Sequence, residues 1–178
     1  MVAKSLKLMT LVLGVILVVF LTKQVILHFT DKTRNSHVAH MSAEEVEKTL
    51  DCLALNIYRE AGNEPFQGKV AVAQVTLNRV EDGRFGKGVC GVVYKKNRNP
   101  FTQKIVCQFS WYCDSKHRTR PVNRQAYDES YRVAKMVLLE NFRLESVKEA
   151  LYYHADYVNP GWKNKRIVQI GAHIFYEG

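Results

Sequence analysis

The sequence predicts a mainly helical α+β domain with a small β-sheet or hairpin, preceded by an N-terminal transmembrane helix. Three observations predict it. Apolar residues recur at four-three spacing through the middle of the chain, the period of a helix with one buried face. Short β-branched or aromatic runs broken by Pro160-Gly161 and Gly171 close the chain, as in a few short strands. At the other end, Leu8 to Thr22 is free of charged residues.

That first run is preceded by Lys4 and Lys7 and followed by Lys23. It is shorter than the ~20 residues a spanning helix needs, but a snorkelling Lys23 would extend the apolar length to Phe29. Residues 1–29 are therefore expected to be a membrane segment. No small-x-small pair follows at the distance of a cleavage site, which favours an uncleaved signal anchor over a cleaved signal peptide. Lys4 and Lys7 favour a cytoplasmic N-terminus, partly offset by Lys23, Lys32 and Arg34. A single membrane pass is thus expected, with the folded domain on the extracytoplasmic side. Residues 30–41 are polar and aperiodic and read as a linker, leaving 42–178 as the folded domain.

Ser42-Ala43-Glu44-Glu45 fits a capping box, so the first domain helix should begin near Ala43 and end near Ala61. Val46, Leu50, Leu53 and Ile57 share one face, and Glu60 continues it. Seven residues after Leu53, Glu60 lies within about 20° of it on a helical wheel, pointing toward apolar packing. Burial would raise its pKa and suit it to act as a general acid. The plainer alternative is a solvated or capping glutamate at a helix end. Gly62 suits a C′ position and Pro65 the first turn of a second helix, capped by Asn63 or Glu64. Phe66, Val70, Ala73, Leu77 and Val80 give that helix its stripe as far as Val80, before a turn at Glu81 to Arg84.

Phe85 to Val122 shows no sustained helical period and reads as a long irregular or partly helical lobe, of the kind that carries a substrate groove. Within it Gln108, Phe109, Ser110, Trp111 and Tyr112 place hydrogen-bonding groups beside flat rings. That mixture suits sugars, and equally a small aromatic core. Asn123 to Glu140 resumes helical order, with Tyr127, Tyr131, Ala134, Val137 and Leu138 on one face. Ala150 to Tyr153 and Ile167 to Tyr176 are the expected strands.

With 178 residues, 47% of them hydrophobic, the chain can hold one domain with a core. Its 26 Lys and Arg against 17 Asp and Glu give a net charge of +9, which favours a polyanionic partner. Nucleic acid is disfavoured, since no phosphate loop or nucleic-acid module is present and the export signal leads away from DNA. Nothing in the pattern bears on oligomeric state. The four cysteines lack zinc spacing, and His154 and Asp156 have no third ligand nearby, so no metal site is expected. One disulfide within the Cys90 to Cys113 region is expected, with buried free thiols as the alternative.

Glu60-Ala61-x-x-Glu64-Pro65, followed by Gln67-Gly68-Lys69-Val70-Ala71-Val72-Ala73-x-Val75-x-x-Asn78-Arg79, resembles the signature of the SleB-like cell wall hydrolases, a family also found among bacteriophage lysis proteins. The likeness continues through Gln108-Phe109-Ser110 and, more weakly, Ala150 to Tyr153 and Gly171 to Tyr176. The chain departs from the family's Glu-Ala-Arg-Gly-Glu-Pro: the basic residue is missing and the glycine is shifted, though both glutamates remain. The resemblance implies a lysozyme-like fold and a lytic transglycosylase acting on peptidoglycan glycan strands, with Glu60 as its catalytic acid and no cofactor. Glu64, Asn78, Arg79, Gln108, Phe109, Ser110, Tyr153, His173 and Tyr176 are then candidates for binding substrate or supporting Glu60. Each has a structural alternative: Glu64 as a cap, Asn78 and Arg79 as helix-end structure, the Tyr and His residues as packed and hydrogen-bonded. A hydrolytic muramidase and a membrane-tethered, non-catalytic peptidoglycan-binding module are the competing functions.

Overall fold

The computed structural model describes residues 13–24 and 37–178. Residues 13–24 are helical (α1). The expected membrane segment at 1–29 falls largely outside the described residues, and among those described no helix is long and apolar enough to cross a membrane.

Residues 37–178 form one folded unit, mainly helical with two small sheets. It begins before the expected Ser42, because Val38 is buried in the core and Met41 packs against it. Helix α2 runs Ala43–Ala61 and opens with the full capping box: Glu45 N–H donates to the Ser42 hydroxyl, and Ser42 N–H to Glu45 Oε2 at 2.7 Å. It buries Leu50, Leu53 and Ile57 as its spacing predicts.

The corner after α2 departs from expectation. Gly62 is right-handed (φ −56°, ψ −33°), not a left-handed cap. A Cβ there would lie 2.5 Å from the Tyr58 carbonyl oxygen, so glycine serves close approach at this turn. Helix α3, Phe66–Asp82, is capped by Pro65 and not by Asn63 or Glu64. Proline has no N–H to leave unpaired, and its carbonyl accepts from Lys69 N–H at 3.1 Å. Glu64 is thereby free to bond elsewhere.

Helix α3 is enclosed on all sides from Gly68 to Leu77, more than a single apolar stripe predicts. Val70, Ala73 and Leu77 join the core shared with α2, while Ala71 and Val75 meet Val147, Ala150 and Phe175 beneath the second sheet. Its polar side chains are satisfied by the chain that wraps it. Gln74 bonds both backbone groups of Leu144, and Asn78 Nδ2 donates to the carbonyls of Val147, Lys148 and Ala150. Asn56 of α2, fully buried, donates to the Thr76 hydroxyl at 3.2 Å and accepts from the Trp111 indole at 2.9 Å.

The lobe after α3 holds α4 (Gly88–Val93), a hairpin of β1 (Lys96–Arg98) and β2 (Ile105–Cys107), α5 (Ser110–Cys113) and α6 (Ser115–Thr119). Two disulfides brace it where one bridge was expected: Cys52–Cys90 joins α2 to α4, and Cys107–Cys113 ties β2 to α5. Helix α7, Arg124–Leu138, is capped by Asn123 and lies against α2. Strands β3 (Ala150–Ala155), β4 (Arg166–Ile170) and β5 (His173–Glu177) form an antiparallel sheet in the order β3-β5-β4.

Candidate active site

Glu60 stands in the last turn of α2, on the wall of an open cavity of about 720 Å³. The pattern that buries Leu53 and Ile57 also turns this carboxylate inward, and its Oε2 accepts a hydrogen bond from the Tyr153 hydroxyl at 2.9 Å. Tyr153 lies in β3, held edge-on to His173 at 5.1 Å between ring centres and tilted against Phe175 at 5.5 Å. Enclosure pushes the Glu60 pKa above the usual carboxylate range. The Tyr153 hydrogen bond and the charges of Arg79 and His117 oppose that rise without cancelling it. The negative end of the α2 dipole acts in the same direction as burial.

Arg79 supports this pair from behind. Its Nε donates to the Leu151 carbonyl at 2.8 Å, next along β3 from Tyr152 and Tyr153. Its guanidinium lies over Phe109 (5.0 Å), Phe85 (5.3 Å) and Tyr153 (5.8 Å). Three ring faces around one buried cation compensate part of its lost hydration. Burial pulls the Arg79 pKa down while Tyr153 and Glu60 hold it up.

Glu64 lines the same cavity, and its Oε2 accepts from the Ala172 amide at 2.9 Å. That oxygen lies 4.0 Å from His173 Nδ1, a buried atom without a hydrogen-bond partner. Burial lowers the His173 pKa, with Glu64 opposing, so the ring is neutral near pH 7 and the contact is not an ion pair. Gly171, at φ +56°, leaves the space that Glu64 occupies.

Of the expected residues, Glu60, Glu64 and His173 line the cavity, Tyr153 bonds to Glu60, and Arg79 with Phe109 backs Tyr153. Asn78 is engaged with three carbonyls away from the cavity wall. Gln108, half-buried, and Ser110, exposed, are not among the lining residues. Tyr176 lies against His154, its hydroxyl 2.9 Å from Nε2, and does not line the cavity. Trp111 is core, its indole committed to Asn56, so the 108–112 run is no sugar platform at the cavity.

Sequence reasoning missed the part of the lining made by Tyr58, His117, Arg120, Asn123 and Gln125, with Tyr157 just past the end of β3. Arg59 Nη2 fixes it by donating to the carbonyls of Arg120 (2.7 Å) and Arg118 (3.4 Å). Of the stretch 85–122 expected to carry the groove, only His117, Arg120 and Pro121 line the cavity, and the basic run from Lys116 to Arg120 was the available signal.

The sequence matches the family model described as Cell Wall Hydrolase over residues 63–176, beginning just after Glu60. It is 28% identical over 153 residues to the spore cortex-lytic enzyme of Bacillus subtilis (strain 168), covering 82% of this chain and 43% of that one. The spore cortex-lytic enzyme of Halalkalibacterium halodurans is 28% identical over 147 residues, covering 82% and 39%. The chain thus spans less than half the length of these curated relatives. Among solved structures, the catalytic domain of the Bacillus cereus SleB protein matches at a TM-score of 0.55 and 25% identity, over 80% of this chain and 98% of that one. The catalytic domain of the germination-specific lytic transglycosylase SleB from Bacillus anthracis matches at 0.53 and 26%, over 79% and 100%.

Proposed function

The chain belongs to the Cell Wall Hydrolase family, and from that premise we propose that it degrades peptidoglycan by cleaving the MurNAc-GlcNAc glycosidic bond as a lytic transglycosylase. The observation that carries this reading is the Glu60 carboxyl, enclosed at a cavity wall with its pKa raised and Tyr153 donating to it. A carboxylic acid that keeps its proton near neutrality can protonate the glycosidic oxygen. The C1–O bond then breaks, GlcNAc leaves as the alcohol, and an oxocarbenium-like centre remains on MurNAc. The 6-hydroxyl of that sugar attacks C1 and passes its proton to the Glu60 carboxylate. This closes a 1,6-anhydro ring and restores the acid.

Tyr153 supports both halves of the cycle. Its hydrogen bond stabilises the carboxylate formed when the proton leaves, and Arg79 contributes charge from behind. Glu64 is committed to the Ala172 amide. This favours the one-carboxylate route over a hydrolytic muramidase using Glu64 as its second carboxylate.

Mass spectrometry of products from purified peptidoglycan tests the proposal. Anhydromuramic ends are expected; hydrated reducing ends would assign hydrolysis. An uncleared band in a peptidoglycan-embedded gel would leave only a binding module.

The proposal extends to residues 1–29 as a signal anchor holding the domain on the periplasmic face of the inner membrane, the arrangement of a tethered lysis enzyme. The uncharged run from Leu8 to Thr22 supports it. Protease accessibility of the domain in spheroplasts tests it.

A further inference from the structure

Between Asp82 and Asp114 the chain has no acidic residue and six basic ones, and the β1–β2 hairpin stands in the middle of that stretch. Its turn is tightly built. Asn99 Oδ1 accepts from the amides of Phe101 and Thr102, both at 2.9 Å, Gln103 N–H donates to the Asn99 carbonyl at 2.9 Å, and Gln103 takes φ +58°. The base is fixed by the Cys107–Cys113 disulfide and by Gln108 N–H on the Lys95 carbonyl. This frame holds Phe101 93% exposed at the tip, with Ile105 (58%) and Val106 (52%) exposed on the second strand. Among the described residues, no carboxylate lies within ion-pairing distance of Lys96, Arg98 or Lys104.

We propose that this hairpin is an interfacial anchor for an anionic bilayer, with Phe101 entering the acyl boundary and Lys96, Arg98 and Lys104 meeting lipid phosphates. A large apolar side chain displayed on a rigid turn gains free energy only where it can leave water. Basic residues around it draw the tip to a negative surface. A hydrated wall polymer would satisfy the cations and can stack on the Phe101 ring, but it offers little to the aliphatic Ile105 and Val106, which is why the bilayer is favoured over peptidoglycan as occupant. The hairpin does not line the cavity, so this inference stands apart from the role of Glu60.

The test uses the full chain carrying Phe101→Trp, with the parent, which contains Trp111 and Trp162, as background. Acrylamide quenching is read with phosphatidylglycerol vesicles, with phosphatidylcholine vesicles and with purified sacculi. Whatever residues 1–29 do with either vesicle, the added indole reports on the hairpin alone. Shielding by the anionic vesicles and not by the zwitterionic ones is expected. Adding Lys96→Ser, Arg98→Ser and Lys104→Ser should weaken that shielding by roughly 10²-fold in effective affinity. Equal quenching with both vesicles, shielding that survives loss of the three cations, or shielding by sacculi alone would overturn the proposal.

Discussion

The Tyr153 hydroxyl donates to Glu60 Oε2 across 2.9 Å, joining strand β3 to the last turn of α2 over a sequence separation of 93 residues. With Arg79 anchored to the adjacent Leu151 carbonyl, the strand, the central helix and the carboxyl form one mechanical unit. Behaviour of the acid should therefore respond to changes in any of the three.

Glu60→Gln should lower peptidoglycan cleavage by at least ~10²-fold, the contribution of a positioned general acid. The fold should survive. Because the folded-state pKa of Glu60 is raised, its carboxyl favours the native state below the unfolded value and loses that contribution as pH rises through the folded value. The variant should thus be more stable than the parent near pH 7, and the difference should shrink below about pH 4.3, where the unfolded carboxyl is also protonated. Urea titrations at the two pH values measure this.

Tyr153→Phe removes a hydrogen bond that favours the ionised form of Glu60, so the Glu60 pKa should rise further. The alkaline limb of the pH-rate profile, where the acid is lost, should move to higher pH, while kcat falls through the poorer carboxylate. A profile that falls uniformly without moving would mean that Tyr153 only packs.

Gly171→Ala places a methyl on Glu64 Oε2 and holds a left-handed backbone, costing about 1–2 kcal/mol from conformation alone. Glu64 must give up the Ala172 amide. Stability by urea unfolding should fall, and kcat/KM with it, because the displaced carboxylate enters the cavity it lines.

The two disulfides should differ in weight. In the chain-entropy treatment, Cys52–Cys90, with a sequence separation of 38, contributes about 4 kcal/mol and Cys107–Cys113, with a separation of 6, about 2. Removing each pair by substitution with Ala and comparing urea midpoints tests the order. The second pair should leave thermal stability nearer the parent.

What could be read from the sequence was local. Ser42 and Glu45 are three residues apart, so α2's start at Ala43 was legible, and the four-three step from Leu53 to Glu60 turned the carboxylate inward. The strands around Tyr153 and Phe175 announced themselves by β-branched and aromatic runs. The partners were not legible. Glu64 finds its amide 108 residues away at Ala172, and nothing near Cys52 marks Cys90 as its mate. The β1–β2 hairpin has three-residue strands with no apolar alternation to reveal it. Trp111 resembled a sugar platform until Asn56 supplied a buried acceptor for its indole.

That asparagine has a consequence for the cavity. Asn56 precedes Glu60 by four residues, about one helical turn, and its amide is locked between Thr76 and Trp111 in the buried interior. A rotation of α2 by one residue, about 100°, would strand the amide without partners and swing the carboxyl away from Tyr153. Hydrophobic contacts tolerate small slippage; a two-sided amide clamp does not. Asn56 thus works as an indexing pin, and the carboxyl takes its bearing from an amide one turn back that is bonded to two other elements.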